Sequence, residues 1–221
     1  MENDARSVAA IILAAGQSRR MGAFKPLLPF GKQTVIESCI NYLKEGGAES
    51  VVVVVGHRAE DIRNHLSRDD SIRFAINPDP TSEMAASIAV GVRALHHTPR
   101  AALISPVDYP AISPSVVSSL ITQWSRGSRL VKPTRFGKGG HPVLVDLSLR
   151  EELLHLDPAL GLKSLFDKFR NEVTRVEVDS PYIARDIDTW DDYRGLYEEM
   201  HGKRPPDPFT NSSNEKPGGV I

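Results

Sequence analysis

Residues 13–25, Leu13-Ala-Ala-Gly-Gln-Ser-Arg-Arg-Met-Gly-Ala-Phe-Lys25, collect glycines, a serine, two arginines and a lysine directly behind the apolar run Val8–Leu13. Glycines let backbone N–H groups approach phosphate oxygens closely. Arg20 and Lys25 can neutralise the charge of a phosphate. A strand that empties into such a loop is suited to hold an anionic group; the plain alternative is a basic surface loop joining a strand to a helix. The Walker A pattern is absent, and so is Gly-x-Gly-x-x-Gly, because Gly16 and Gly22 are six positions apart.

Two acidic segments can supply a partner to that loop. Pro106-Val-Asp108-Tyr-Pro110 follows the apolar run Ala101–Ser105. A carboxylate there points into the crevice beyond the strand, and the flanking prolines restrict its backbone. Phosphoryl-type transfer needs a divalent cation, and Mg²⁺ is usually held by one or two carboxylates plus substrate oxygens. In Arg185-Asp186-Ile-Asp188-Thr-Trp-Asp-Asp192, Asp186 and Asp188 alternate along an extended stretch. They are therefore expected to face opposite ways, with one of them reaching a shared metal. Thr189 reads as a helix N-cap with Asp191 and Asp192 in the first turn. Gly139-Gly-His141-Pro142 follows Lys132, Arg135 and Lys138 and reads as a flexible basic loop. No second His or Cys stands at zinc-ligand spacing from His141. His96-His97, at a helix end, reads as solvent-facing, and Cys39 as a buried, inert thiol. There is no Ser/His/Asp or Cys/His arrangement.

The surrounding pattern alternates strand and helix. Strands are expected at Val8–Leu13, Val51–Val55, Ile72–Ile76, Ala101–Ser105, Leu130–Lys132, Pro142–Val145 and Val173–Val178. Five consecutive valines suit a central strand covered on both faces. Thr34-Val-Ile-Glu37 is a capping box opening a helix to Glu45, stopped by Gly46-Gly47. Further helices are expected at Ala59–Leu66, Glu83–Leu95, from the Ser113-Pro114 cap to Trp124, at Arg150–Leu154, Leu162–Phe169 and Thr189–Met200. This order predicts a three-layer α/β/α sandwich with a mainly parallel, Rossmann-like sheet. Ligands of such sheets bind beyond the carboxyl ends of the strands, at the loops after Leu13, Val55, Ile76 and Ser105.

The 221 residues fit one large α/β domain, assigned to 1–201. Residues 202–221 lack apolar periodicity and are expected to be a disordered tail. A net charge of −1 gives no global field for nucleic acid or an anionic membrane, so anion binding must be local. One cysteine excludes a disulfide framework or a thiolate cage. The apolar runs fall far short of the roughly 18 residues a membrane span needs. A cytoplasmic protein is expected.

Leu-Ala-Ala-Gly-x-Ser-x-Arg-Met-Gly with a lysine three residues on resembles the signature of nucleotidyltransferases that share a mononucleotide-binding α/β fold of the nucleotide-diphospho-sugar transferase type. It is most similar to the branch of the molybdenum cofactor cytidylyltransferases. The likeness runs through Asp-Ile-Asp, over roughly residues 7–200. Relatives that transfer guanylate commonly carry Leu-Ala-Gly-Gly; Ala15 leans toward cytidylyl transfer. The resemblance implies Mg²⁺-dependent transfer of CMP from CTP to molybdopterin or the molybdenum cofactor, with release of pyrophosphate. It assigns nucleotide binding to Leu13, Ala14, Ala15, Gly16, Ser18, Arg20, Gly22, Lys25 and Ser87. It assigns catalysis to Arg20, Lys25 and Asp108, and metal binding to Asp108 with Asp188 first and Asp186 second. Gly140, His141 and Pro142 fall on the acceptor side, where His141 would hydrogen-bond the acceptor phosphate or pterin. The chain departs from the family where Glu83 and Ala86 replace a glycine and a serine beside Met84 and Ser87, and where Trp190 replaces a proline. An apo-molybdoenzyme receiving the product is an implied partner. Transfer to a sugar or polyol phosphate, nicotinamide-dependent reduction, and a carrier role are the competing readings.

Overall fold

The computed structural model describes residues 7–206 except 19, 68, 70, 80–82, 97 and 98. In chain order the elements are β1 (Val8–Ala14), β2 (Pro29–Phe30), β3 (Gln33–Thr34), α1 (Val35–Glu45), β4 (Ser50–Val55) and α2 (Ala59–Leu66). They continue with β5 (Ile72–Ile76), α3 (Met84–Ala94), β6 (Ala101–Pro106), α4 (Pro114–Ser125), β7 (Leu130–Arg135) and β8 (Lys138–Gly139). The last are β9 (Val143–Asp146), α5 (Arg150–Leu154), α6 (Leu162–Lys168), β10 (Val173–Glu177) and α7 (Trp190–His201).

The main sheet runs β10-β7-β9-β6-β1-β4-β5, with β8 paired to β7. β6, β1, β4 and β5 are mutually parallel, and β10 is parallel to β7. β9 is antiparallel to both β6 and β7, so the expected mainly parallel sheet carries one reversed strand inside it. β2 and β3 form a separate small hairpin.

Strand alternation builds the layers. Ala10, Ile12 and Ala14 of β1, with Val51, Val53 and Val55 of β4, face one cluster closed by α1, α4 and α7. Ala9, Ile11 and Leu13, with Val52 and Val54, face the other, closed by α3, α5 and α6. Every residue of β1 is buried. Each buried valine or isoleucine contributes about 1.5–3 kcal/mol relative to exposure. On the second face α3 lies close to the sheet. A Cβ on Gly91 would stand 2.5 Å from Ile11 Cγ2, so only glycine permits that approach.

Local signals explain several ends. Thr34 caps α1 through the reciprocal box with Glu37, and Gly47 follows at φ +115. Thr189 caps α7 through an equivalent box with Asp192. Ser113 stands at the N-cap of α4, but its hydroxyl pairs with Ser115 Oγ instead of a backbone N–H. Among the described residues no helix is long and apolar enough to cross a membrane. Residues 207–221, most of the expected tail, lie outside the described residues.

Candidate active site

β1 ends at Ala14, and the chain beyond it turns back onto Ser18. Met21 and Gly22 donate their N–H groups to Ser18 O, each at 3.2 Å. The Ser18 hydroxyl accepts from Lys25 N at 3.3 Å. Ser18 and Gly22 both hold positive φ, at +51 and +68. The loop after β4 braces this turn from behind. A Cβ on Gly56 would stand 3.0 Å from Ala15 O, and the Arg58 guanidinium lies 4.4 Å from the Phe24 ring centre. Lys25 then starts a short 3-10 turn, Lys25–Leu27, with its stem buried.

The Lys25 ammonium meets two acidic segments that are far away in sequence. It donates to Asp188 Oδ1 at 2.6 Å and lies 3.9 Å from Asp108 Oδ2. Arg20 Nη1 lies 2.7 Å from Asp188 Oδ2, with its own side chain 76% exposed. Two backbone bonds align the segments: Val107 N donates to Leu13 O at 3.1 Å, and Ile187 N donates to Asp108 O at 3.0 Å. Asp108, Asp186 and Asp188 each bring one oxygen within 4.8 Å of the others. This corrects the expectation that Asp186 and Asp188 face opposite ways. Residues 185–188 form no strand but an irregular link between the 3-10 turn Pro181–Ala184 and α7, so strand alternation does not apply.

The cluster fits a hard divalent cation. Its donors are carboxylate oxygens, as Mg²⁺ or Mn²⁺ prefers. Three carboxylates outnumber the two cations beside them. Asp108 Oδ1 is buried with no hydrogen-bond partner among the described residues. The two well-placed acids are tuned in opposite directions. Burial pushes the Asp108 carboxyl above its usual range, against the pull of Lys25. The hydrogen bond from Lys25 holds Asp188 below that range. Perturbed carboxyls of this kind cluster at functional sites.

A pocket of about 250 Å³ opens beside the acids. It is lined by Leu13, Ala15, Gly16, Ser18, Lys25 and Pro26 from the first loop, and by Pro106, Val107 and Asp108 from the end of β6. Asn77, Asp79, Met84 and Ser87 close the third side. Three of the four loops singled out by the carboxyl-end rule thus line it, and the fourth supports it from behind. Ala14 is buried in β1 instead, and Arg20 and Gly22 lie outside the lining. Arg19, the loop's other arginine, lies outside the described residues. Ser87 is buried and accepts from Asn77 Nδ2 at 2.9 Å. Asn77 and Asp79 were not singled out from sequence; an Asn at a strand's carboxyl end ahead of a helix was the available signal. A larger groove of about 1140 Å³, between the β2–β3 hairpin and the start of α4, holds none of the sequence-predicted residues.

Gly140, His141 and Pro142 sit between two other pieces of the site. A Cβ on Gly140 would stand 2.2 Å from Ile183 O, and His141 N donates to that oxygen at 2.7 Å. The His141 ring centre lies 4.9 Å from that of Tyr109, the neighbour of Asp108. The His141–Pro142 bond is cis. Burial lowers the His141 pKa to about 4, so the ring is neutral at pH 7, and its Nδ1 is buried without a partner among the described residues. The flexible loop expected from the basic stretch is therefore a packed strap leading into β9. His96 is exposed, as expected at the helix end; His97 lies outside the described residues.

A family model described as the MobA-like NTP transferase domain matches residues 10–174. The chain is 31% identical over 157 residues to nicotine blue oxidoreductase of Paenarthrobacter nicotinovorans, covering 67% of this chain and 76% of that one. It is 24% identical over 188 residues to molybdenum cofactor cytidylyltransferase of Escherichia coli, covering 85% and 94%. Rv0371c of Mycobacterium tuberculosis superposes with a TM-score of 0.77 at 26% identity, covering 88% of this chain and 98% of that one.

Proposed function

This chain belongs to the MobA-like NTP transferase family, a family of nucleotidyltransferases, and we propose that it transfers CMP from CTP to the molybdenum cofactor. The observation that carries the reading is the meeting of Lys25 with Asp108 and Asp188 at the mouth of the pocket lined by Leu13, Ala15, Gly16 and Ser18. A buried ammonium beside a carboxylate cluster suits a triphosphate and its divalent cation. Ala15 ahead of Gly16, and the likeness to the Escherichia coli cytidylyltransferase over most of both chains, support cytosine and a pterin acceptor.

In this reaction an acceptor phosphate oxygen attacks the α-phosphorus of CTP in line. A new P–O bond forms, the bond to the β-phosphate oxygen breaks, and pyrophosphate leaves with the electron pair. The attacking oxygen is already anionic, so no protein nucleophile or strong general base is needed. Among the described residues the site offers no strong base: burial lowers the His141 pKa to about 4, which leaves its imidazole weakly basic, and Asp108 pairs with Lys25. The protein's work is positioning and charge neutralisation. Lys25 holds the triphosphate from a buried position, and exposed Arg20 reaches it from the rim. Asp108, Asp186 and Asp188 would hold Mg²⁺, which would supply neutralisation of the phosphate charge when bound. His141 and Pro142 shape the acceptor side.

Incubation with Mg²⁺ and each nucleoside triphosphate, with and without molybdenum cofactor, tests the proposal through pyrophosphate release. Release with CTP only when the cofactor is present is the expected result. Release only with a sugar or polyol phosphate would reassign the acceptor. The likeness to nicotine blue oxidoreductase favours a second reading, nicotinamide-dependent reduction. Nicotinamide oxidation without pyrophosphate release from any pair would establish that reading instead.

A further inference from the structure

Four of the five carbonyls from Pro106 to Pro110, in the segment that carries Asp108, each accept from a donor elsewhere in the fold or from the preceding side chain. Pro106 O accepts from Ser105 Oγ at 3.2 Å, and Val107 O from Cys39 Sγ at 3.3 Å. Asp108 O accepts from Ile187 N at 3.0 Å. Tyr109 O stands 3.8 Å from the same Sγ, whose single proton serves the nearer Val107 O, and Pro110 O accepts from Ser38 Oγ at 2.7 Å. The Tyr42 and Ser105 hydroxyls hydrogen-bond to each other at 2.8 Å. Ser38, Cys39 and Tyr42 are one helical turn of α1, on the face turned toward this segment.

β6 ends at Pro106, so the carbonyls beyond it lie outside the strand pairing. Its carbonyls would otherwise be unsatisfied in a buried setting, which costs about 1–3 kcal/mol per group. The α1 side chains meet that need, and in doing so they set the backbone from which the Asp108 side chain leaves. Cys39 is fully buried, and burial keeps its thiol protonated, in the state that donates.

We propose that Ser38 and Cys39 of α1 are positioning residues for Asp108, acting through the carbonyls of Pro110 and Val107. The proposal rests on the reading of Asp108 as a metal ligand. It gives a role to a cysteine that the chemistry of the reaction does not use.

Mn²⁺ binding to the full chain, followed by electron paramagnetic resonance without nucleotide or acceptor, tests it. Removal of an outer hydrogen-bond partner of a metal ligand costs about 10–100-fold in affinity. Cys39→Ala is expected to lose at least about tenfold, at the low end of that range. Ser38→Ala, at a half-buried position that does not threaten folding, is expected to lose less in the same direction. Cys39→Ser keeps a donor and is expected to restore most of the affinity, even where its melting temperature falls below that of Cys39→Ala. Wild-type affinity in folded Cys39→Ala, or in Ser38→Ala should Cys39→Ala not fold, overturns the proposal. So does a Cys39→Ser variant as weak as Cys39→Ala, since the loss would then follow packing and not the donor. Asp108→Asn is the control. If it binds Mn²⁺ like wild type, the metal reading itself fails and takes the proposal with it; if it does not and Cys39→Ala does, the positioning role alone fails.

Discussion

The loop around Lys25 and the strap Gly140–Pro142 lie against neighbouring residues, Asp108 and Tyr109, yet they are held by different physics. Lys25 and Arg20 are fixed by ion pairs to Asp188, contacts that an anionic ligand can replace in kind. The strap is fixed by packing and a backbone hydrogen bond: a glycine pressed on Ile183, His141 N donating to Ile183 O, and a neutral imidazole lying against Tyr109. One region keeps exchangeable charge at the mouth of a pocket. The other keeps a wall in place with almost no charge. A site that must trade protein ion pairs for ligand ion pairs needs both kinds of region.

The sharpest break in that contrast should come from the charged side. Lys25→Ala or Asp108→Ala is expected to lower turnover by at least about 10²-fold, the size seen when one charge contact to a transition state is removed. Circular dichroism should be unchanged, and near-normal pyrophosphate release in either variant would sink the proposed roles.

The strap should instead report through stability. His141 has a folded pKa of about 4 against an ordinary value of 6.5, so between those values the unfolded chain binds the extra proton. Stability should therefore fall as pH drops from 6.5 to 4, by up to about 3 kcal/mol from this group. Urea melts of wild type and His141→Phe across that window check it; parallel curves for the two proteins would refute the assignment.

Gly140→Ala forces a Cβ against a carbonyl oxygen, and overpacking of this kind costs about 1–3 kcal/mol. Thermal melts should show the loss, and an unchanged melting temperature would mean the strap yields easily. Arg20→Ala should have the smallest effect on stability, under about 1 kcal/mol, because its ion pair is mostly exposed. High salt should erase that difference in a denaturant titration, and a salt-independent loss would argue for a structural role.

Much of the fold was legible because the signals are local. The valine run of β4, the capping boxes at Thr34 and Thr189, and the glycines after α1 each specify their element within a few residues. The reversed strand β9 was not legible. Nothing local distinguishes Val143–Asp146 from a parallel strand; its partners β6 and β7 decide its direction. Asp108 could be placed at a strand's carboxyl end from sequence. The relation of Asp186 to Asp188 could not, because a period of two holds only in a strand, and the segment is an irregular link held by Ile187 N to Asp108 O. Asn77 offered only its place at a strand's carboxyl end, and Cys39 offered no chemical signal, since its partner Val107 lies 68 positions away.

Periodicity, caps and the glycine–arginine–lysine loop determined the α/β architecture and the basic, turn-forming character of the first loop, because those properties depend on near neighbours and residue type. Tertiary structure alone decided which ions Lys25 meets, which aspartates converge, and that His141 is buried and neutral. Each of those depends on burial and on distances between residues far apart in the chain, here spanning 163 positions from Lys25 to Asp188. The loop's basic residues were written in the sequence; the carboxylates that hold them were chosen by the fold.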